Sequence, residues 1–195
     1  MGGDVHTFVF MDLVGFTALT AERGDDRAAD VAQQLYGHVR ALLDDHRAEE
    51  IKTFGDAMML RCEDPRLAIE LGMRLADGPG GLPPVRVGVH SGTAVHRNGD
   101  WYGSAVNVAS RLCSAAGGAE VLVSEQACAA AGDLDGLELG ERRLHWLKNV
   151  PEPIAARSAA ASRERFPFAA ILRRKAKLRR SAPCPAQVPQ TEVAA

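Results

Sequence analysis

Paired cysteines are missing from this chain. Cys62, Cys113, Cys128 and Cys184 show neither C-x-x-C pairing nor metal-ligand spacing, so neither a disulfide framework nor a zinc cluster has a basis in the sequence. They read as free thiols of a reducing compartment. Long apolar runs are missing too, and no uncharged stretch approaches the roughly 20 residues of a spanning helix. Met1-Gly2-Gly3-Asp4 carries no basic segment, and Phe8 to Met11 is too short for the apolar region of a secretory signal. Hydrophobic residues at 46% and charged residues at 25% are globular proportions, which excludes wholesale disorder. A length of 195 residues then suits one cytoplasmic domain, or one domain plus a tail.

Most of the chain also lacks excess positive charge. Between Arg163 and Arg180 there are eight Lys/Arg against one Glu, leaving fifteen basic and twenty-four acidic residues elsewhere. A nucleic-acid binder would carry a basic face on the body itself, so no nucleic-acid partner is expected. The basic segment beside Phe166, Phe168, Ile171 and Leu172 is a candidate for weak contact with anionic lipid. The plainer expectation is a solvated tail.

Val5 to Met11 is rich in β-branched and aromatic residues and reads as a buried strand, with Asp12-Leu-Val-Gly-Phe-Thr as the loop after it. Val31, Leu35, Val39, Leu42 and Leu43 share one helical face within Thr17 to Ala48, which Arg23-Gly24-Asp25-Asp26 divides in two. Glu50 to Phe54 and Ala57 to Arg61 read as strands around a Gly55-Asp56 turn. Pro65 to Leu75 reads as a helix with proline in its first turn. Further on, Val85 to His90 is a strand, Gly103 to Ala116 a helix, Glu120 to Val123 a strand, and Ser124 to Ala131 a helix capped by Ser124. Leu137 to Ala156 reads as two strands around Lys148-Asn149-Val150-Pro151. The hairpin forces an antiparallel pair, so the pattern is an α+β, ferredoxin-like βαββαβ core rather than a doubly wound sheet. Punctuation is lost beyond Arg157. The expected division is a folded domain over 1–157 and a basic, disordered tail over 158–195.

Two carboxylates stand out by position. Asp12 ends an apolar strand, and a carboxylate there is costly unless it is paired or holds a cation. Asp56 follows Gly55 in a hairpin turn. The plain readings are a backbone-capping Asp and ordinary Gly-Asp turn chemistry. Brought together, the pair could hold Mg²⁺ with substrate phosphate oxygens. Asn107 and Arg111 lie four apart on an apolar helix, hence on one face. Either they cap or salt-bridge within the domain, or the guanidinium meets developing phosphate charge while the amide orients a sugar.

These residues fall in strings with a family likeness. Phe10-Met-Asp12-Leu-Val-Gly15-Phe16-Thr17 resembles the first metal motif of class III nucleotidyl cyclase catalytic domains. Ile51-Lys52-Thr-Phe-Gly55-Asp56-Ala57 resembles the second metal and purine motif. Asp100-Trp-Tyr-Gly103-Ser-Ala-Val-Asn107-Val-Ala-Ser-Arg111 is similar to the third, and Leu147-Lys148-Asn149-Val150 to a fourth. The resemblance covers roughly Val5 to Arg157, in order.

What it implies is an adenylyl cyclase using two Mg²⁺ or Mn²⁺ ions per site. Asp12, Asp56 and the Leu13 carbonyl would be metal ligands. The Gly15, Phe16 and Thr17 amides would meet the terminal phosphates. Asn107 would position the ribose, Arg111 would stabilise α-phosphate charge, and Lys148 would neutralise pyrophosphate. No side chain is assigned as general base. Lys52 and Asp100 would read the purine: Lys donates only and ionised Asp accepts only, which suits adenine N1 and N6 and mismatches guanine. ATP is therefore the expected substrate. The alternatives are a surface Lys52–Asp100 ion pair, a guanylyl or mixed-purine cyclase, and a nucleotide-binding module with negligible turnover. In the family the metal carboxylates and the Lys52, Asp100, Asn107 and Arg111 equivalents come from different chains. The implied assembly is therefore a head-to-tail homodimer with shared sites. His46-Arg47-Ala48-Glu49-Glu50 departs from the Gly-rich approach of many relatives, leaving the hairpin's entry geometry open.

Overall fold

Strand β1 (Val5–Leu13) is the spine of the molecule, and it is buried along both faces. In this computed structural model, residues 4–161 are described; the basic segment 163–180 lies outside them. Val9, Met11 and Leu13 point into one apolar cluster and Phe8 and Phe10 into another. The near-continuous apolar sequence follows from helices covering both sides.

β1 extends to Leu13, so Asp12 and Leu13 belong to the strand and not to the loop expected there. The reason lies far along the chain: Asp12 pairs in register with Arg86 and Leu13 with Val85 of β4 (Val85–Thr93). Val14 and Gly15 alone make the turn into α1 (Phe16–Arg23), and Gly24 separates that helix from α2 (Asp25–Leu43). α2 buries Val31, Leu35, Tyr36 and Val39.

β2 (Ala48–Phe54) and β3 (Ala57–Cys62) form the expected antiparallel hairpin, with a register shift between Glu50 and Lys52. α3 (Pro65–Asp77) starts where Asp64 accepts hydrogen bonds from the Arg66 and Leu67 amides at 2.8 and 3.2 Å, with Pro65 in the first turn. The order β2-β3-β1-β4 with α2 and α3 on one face is the βαββαβ core.

A short hairpin that sequence reading passed over comes next, β5 (Val95–Arg97) and β6 (Asp100–Tyr102). Its turn is Asn98-Gly99, both with positive φ at 53° and 77°. Asn-Gly between extended residues is a strong short-range hairpin signal, and it was there to be read. α4 (Ser104–Ala115) covers the opposite face of the sheet, against Phe8, Phe10 and Met59.

β7 (Val121–Ser124) runs parallel to β4, and α5 (Glu125–Ala131) begins at Ser124, whose hydroxyl accepts from the Ala127 amide. The Leu137 to Ala156 stretch holds not two strands but three: β8 (Leu137–Leu139), β9 (Arg143–His145) and the start of β10 (Ile154–Ala161). β8 and β9 each pair with β10, so one long strand serves two short partners. Among the described residues no helix is long and apolar enough to cross a membrane.

Candidate active site

Three groups of candidate residues emerge. The first forms at the C-terminal end of β1. Asp56, in the β2–β3 turn, faces Asp12, and burial together with the Asp12 charge pushes its carboxyl up to about 6. Asp12 in turn accepts from Arg86: Nε at 2.8 Å and Nη2 in a second, close contact. Arg86 also donates to the Ser114 carbonyl at 3.3 Å, which ties β4 to the end of α4. Arg86 was missed in the sequence. Its signal is a lone cation in the apolar run of β4, directly across from Asp12.

Two mutually repelling carboxylates in a half-buried place are unfavourable without a compensating cation. Arg86 compensates one of them. The donor set of Asp12, Asp56 and the backbone at Leu13 is all hard oxygen, which suits Mg²⁺ or Mn²⁺ and not a soft metal. Among the described residues no group of three or more His, Cys, Asp and Glu gathers at one point. The candidate centre is therefore a two-carboxylate site, of the kind completed by substrate phosphates.

Next to it the chain enters α1. Gly15 sits at its N-cap with φ of 81°, and no side chain caps the helix. The Leu19 amide makes the first intrahelical bond, to the Gly15 carbonyl. The amides of Phe16, Thr17 and Ala18 therefore lack helical acceptors and face outward.

The second group joins the two hairpins. Lys52 of β2 and Asp100 of β6 form a close ion pair through Nζ and Oδ2. The other Asp100 oxygen, Oδ1, accepts from the Trp101 amide at 2.8 Å. The Lys52 hydrogen bond, with the Trp101 amide second, holds the Asp100 carboxyl below its usual range, so it is an ionised acceptor. The ammonium also lies 5.2 Å from the Phe54 ring centroid. Trp101 itself packs against the tilted rings of His6 at 4.2 Å and His96 at 4.9 Å, which helps hold the backbone beside Asp100.

The third group is Asn107 and Arg111 on α4. Among the described residues neither side chain makes a hydrogen bond or ion pair within the chain. The structural role open to them in the sequence, a cap or internal salt bridge, is not what they do here. Asn107 is exposed and Arg111 partly so, while their neighbours Val108, Ala109 and Leu112 are buried. Lys148 is exposed in the β9–β10 turn, beside Asn149 with φ of 62° and the buried Leu147.

Residues 3–76 match the family model described as the adenylate and guanylate cyclase catalytic domain. The "pH-sensitive adenylate cyclase MT1302" of Mycobacterium tuberculosis is 40% identical over 154 residues, covering 73% of this chain and 38% of that protein. An adenylate cyclase of Streptomyces griseus is 35% identical over 117 residues, or 58% of this chain and 29% of that one. The chain thus spans less than two fifths of the length of either curated relative. In fold it is similar to solved adenylate cyclases from Trypanosoma brucei in their monomeric state, at TM-score 0.72 and 23% identity over 83% of this chain and 90% of that one. It is similar also to adenylyl cyclase CyaB from P. aeruginosa, at TM-score 0.69 and 20% identity over 82% and 95%.

Proposed function

The chain belongs to the class III adenylate and guanylate cyclase catalytic domain family, and on that premise we propose that it converts ATP to 3′,5′-cyclic AMP and pyrophosphate. The observation that carries the reading is the meeting of Asp12 and Asp56, from separate elements, at one oxygen-rich point beside the open amides of α1. Asp12, Asp56 and the Leu13 carbonyl are the groups that would hold two Mg²⁺ or Mn²⁺ ions. Such ions, when bound, make the ribose 3′-hydroxyl more acidic and offset charge on the α-phosphate.

The rest is done by this chain's own side chains. The 3′-oxygen attacks the α-phosphorus in line with the departing pyrophosphate. Asn107 holds the ribose, and Arg111 donates to the α-phosphate oxygens as their charge grows. The amides of Gly15, Phe16 and Thr17 cradle the terminal phosphates, as helix-start amides readily do. Lys148 neutralises the leaving group. Lys52 donates to adenine N1, and Asp100 accepts from the N6 amino group. Both must then trade part of their mutual ion pair for the base.

Support for the shared-site homodimer comes from the unpaired state of Asn107 and Arg111. Among the described residues their side chains find no partner, as groups completing a second chain's site would not. The test is product analysis with Mn²⁺ and either ATP or GTP. Cyclic AMP that disappears in Asp56→Ala is the expected result. Cyclic GMP as the main product would refute the purine assignment, and no product from either nucleotide would favour a binding module.

A further inference from the structure

We propose that Tyr36 is a positioning residue for Asp56, an inference that rests on reading Asp12 and Asp56 as metal ligands. Tyr36 is buried on α2, and its hydroxyl donates to the carbonyl of Gly55, the residue directly before Asp56. Gly55 has φ of 60°, in the left-handed region, so the peptide leading into Asp56 turns on a permissive pivot. Such a peptide keeps one orientation only if something outside the turn holds it.

Packing leaves room for movement there. The space beside the Gly55 Cα is open out to 4 Å, and the turn borders a cleft of about 270 Å³ between α1 and α2. Phe16, Ala28, Ala32 and Tyr36 line that cleft. The phenol therefore supplies a tie where close packing is lacking. Burial, and then the nearby Asp56 charge, raise the phenol's pKa, so it remains a protonated donor.

A second tie sits one helical turn further along α2. Arg40 donates to Glu50 of β2 through Nε at 2.7 Å and Nη2 at 2.9 Å, and its guanidinium lies 5.8 Å from the Tyr36 ring centroid. α2 thus grips the hairpin twice, through Arg40 nearer its base and through Tyr36 at the tip that carries Asp56. Because residues of α1 and α2 line the cleft with Gly55 at its edge, the tie holds the Gly55 turn against α2 beside that cleft.

The test is Tyr36→Phe, which keeps the ring and deletes the hydroxyl, with Tyr36→Leu as the packing control and Asp56→Asn as the ligand control. In metal-free protein, hydrogen exchange of a peptide spanning 53–58 should quicken about tenfold in Tyr36→Phe, the worth of one hydrogen bond. Mn²⁺ titrated without nucleotide should bind about tenfold more weakly. In turnover, the Mn²⁺ requirement should rise while kcat at saturating Mn²⁺ stays close to wild type. Unchanged exchange and unchanged Mn²⁺ binding in Tyr36→Phe, with losses only in Tyr36→Leu, would overturn the proposal. Equal Mn²⁺ binding by wild type and Asp56→Asn would instead overturn the ligand reading, and the exchange measurement would still decide whether Tyr36 holds the turn.

Discussion

Lys52 and Asp100 pair across two hairpins that are separate in sequence, one ending at the Gly55 turn and the other built on Asn98-Gly99. Each partner is oriented by a further contact, Asp100 by the Trp101 amide and Lys52 by the Phe54 ring. The pair is a preformed donor and acceptor, and its polarity matches adenine. Lys52→Ala should therefore lower kcat/KM for ATP by about 30-fold or more, because the base loses a charged donor and Asp100 loses its partner. The value for GTP should change far less, since guanine presents O6 as acceptor and N1–H as donor, the reverse of the edge this pair matches. Steady-state assays with both nucleotides check this. Equal losses for ATP and GTP would mean that Lys52 acts on the triphosphate or on folding, and not on the purine.

Arg111, whose side chain has no partner among the described residues, leads to a different experiment. If its guanidinium completes a site whose carboxylates belong to another chain, Asp12→Ala and Arg111→Ala should each be inactive alone. Mixed in equal amounts, they should recover about a quarter of wild-type activity, as half the dimers are mixed and each holds one intact site. Activity of the mixture is read against each variant incubated separately. Recovery no greater than the sum of the two would place all the groups of a site in one chain.

Reading the sequence found what local chemistry encodes. The alternation and turn around Gly55-Asp56, the Pro65 start of α3 and the Ser124 cap are each specified within a few residues, and all three stand in the structure. The end of β1 was not legible because its cause is nonlocal. Asp12 reads as the start of a loop until Arg86 is placed opposite it, in a strand much later in the chain. Arg86 was overlooked for the same reason, since a cation inside Val85-Arg86-Val87 has no meaning until its partner is known. β8 and β9 escaped separation because each has only three residues and takes its order from β10. Of the candidate site, the residue identities were legible and the ties between them were not. Neither the Tyr36–Gly55 bond nor the ring packing around Trp101 follows from spacing.

His90 supplies a prediction about pH. It is buried in β4, its Nδ1 lies 2.8 Å from the Ser124 hydroxyl, and that oxygen also accepts from the Ala127 amide at 3.1 Å. The neutral ring's tautomer decides whether Nδ1 donates to that hydroxyl or accepts from it. Burial lowers the imidazole pKa from 6.5 to about 4. Between those values the unfolded chain takes up the proton and the folded one does not, so stability falls as pH drops from about 6.5 towards 4. The full difference is on the order of 3 kcal/mol. Asp56 works in the opposite sense, because its raised pKa means that falling pH relieves a penalty on the folded state. The raw profile mixes the two effects. The comparison of wild type with His90→Gln isolates the histidine, and the variant should lose less stability across this window in denaturant titrations at each pH. Parallel profiles would show that His90 is not the group being titrated.

Gly88 is where the sheet bears most directly on α4. It lies in β4 with α4 pressed against it, and a Cβ there would come within 2.2 Å of the Cys113 amide nitrogen and 2.4 Å of the Ala109 carbonyl oxygen. Both are backbone atoms of α4, so no side-chain rotation relieves the clash. Gly88→Ala must push the helix off the sheet or bend the strand, and either costs about 1–3 kcal/mol as overpacking. The same helix carries Asn107 and Arg111 on its open face, and small misplacements of groups that act on the transition state cost about 100-fold in rate. The expected variant is folded, with a lowered thermal midpoint, and retains Mn²⁺ binding at Asp12 and Asp56 while kcat collapses. Gly72 offers the control, since the nearest atoms to a Cβ there are side-chain methyls of Val121, Val87 and Val89 at 3.1–3.4 Å. Gly72→Ala should lose stability with little change in kcat. Matching kcat losses in the two variants would mean that general loosening of the sheet, and not the seat of α4, limits the reaction.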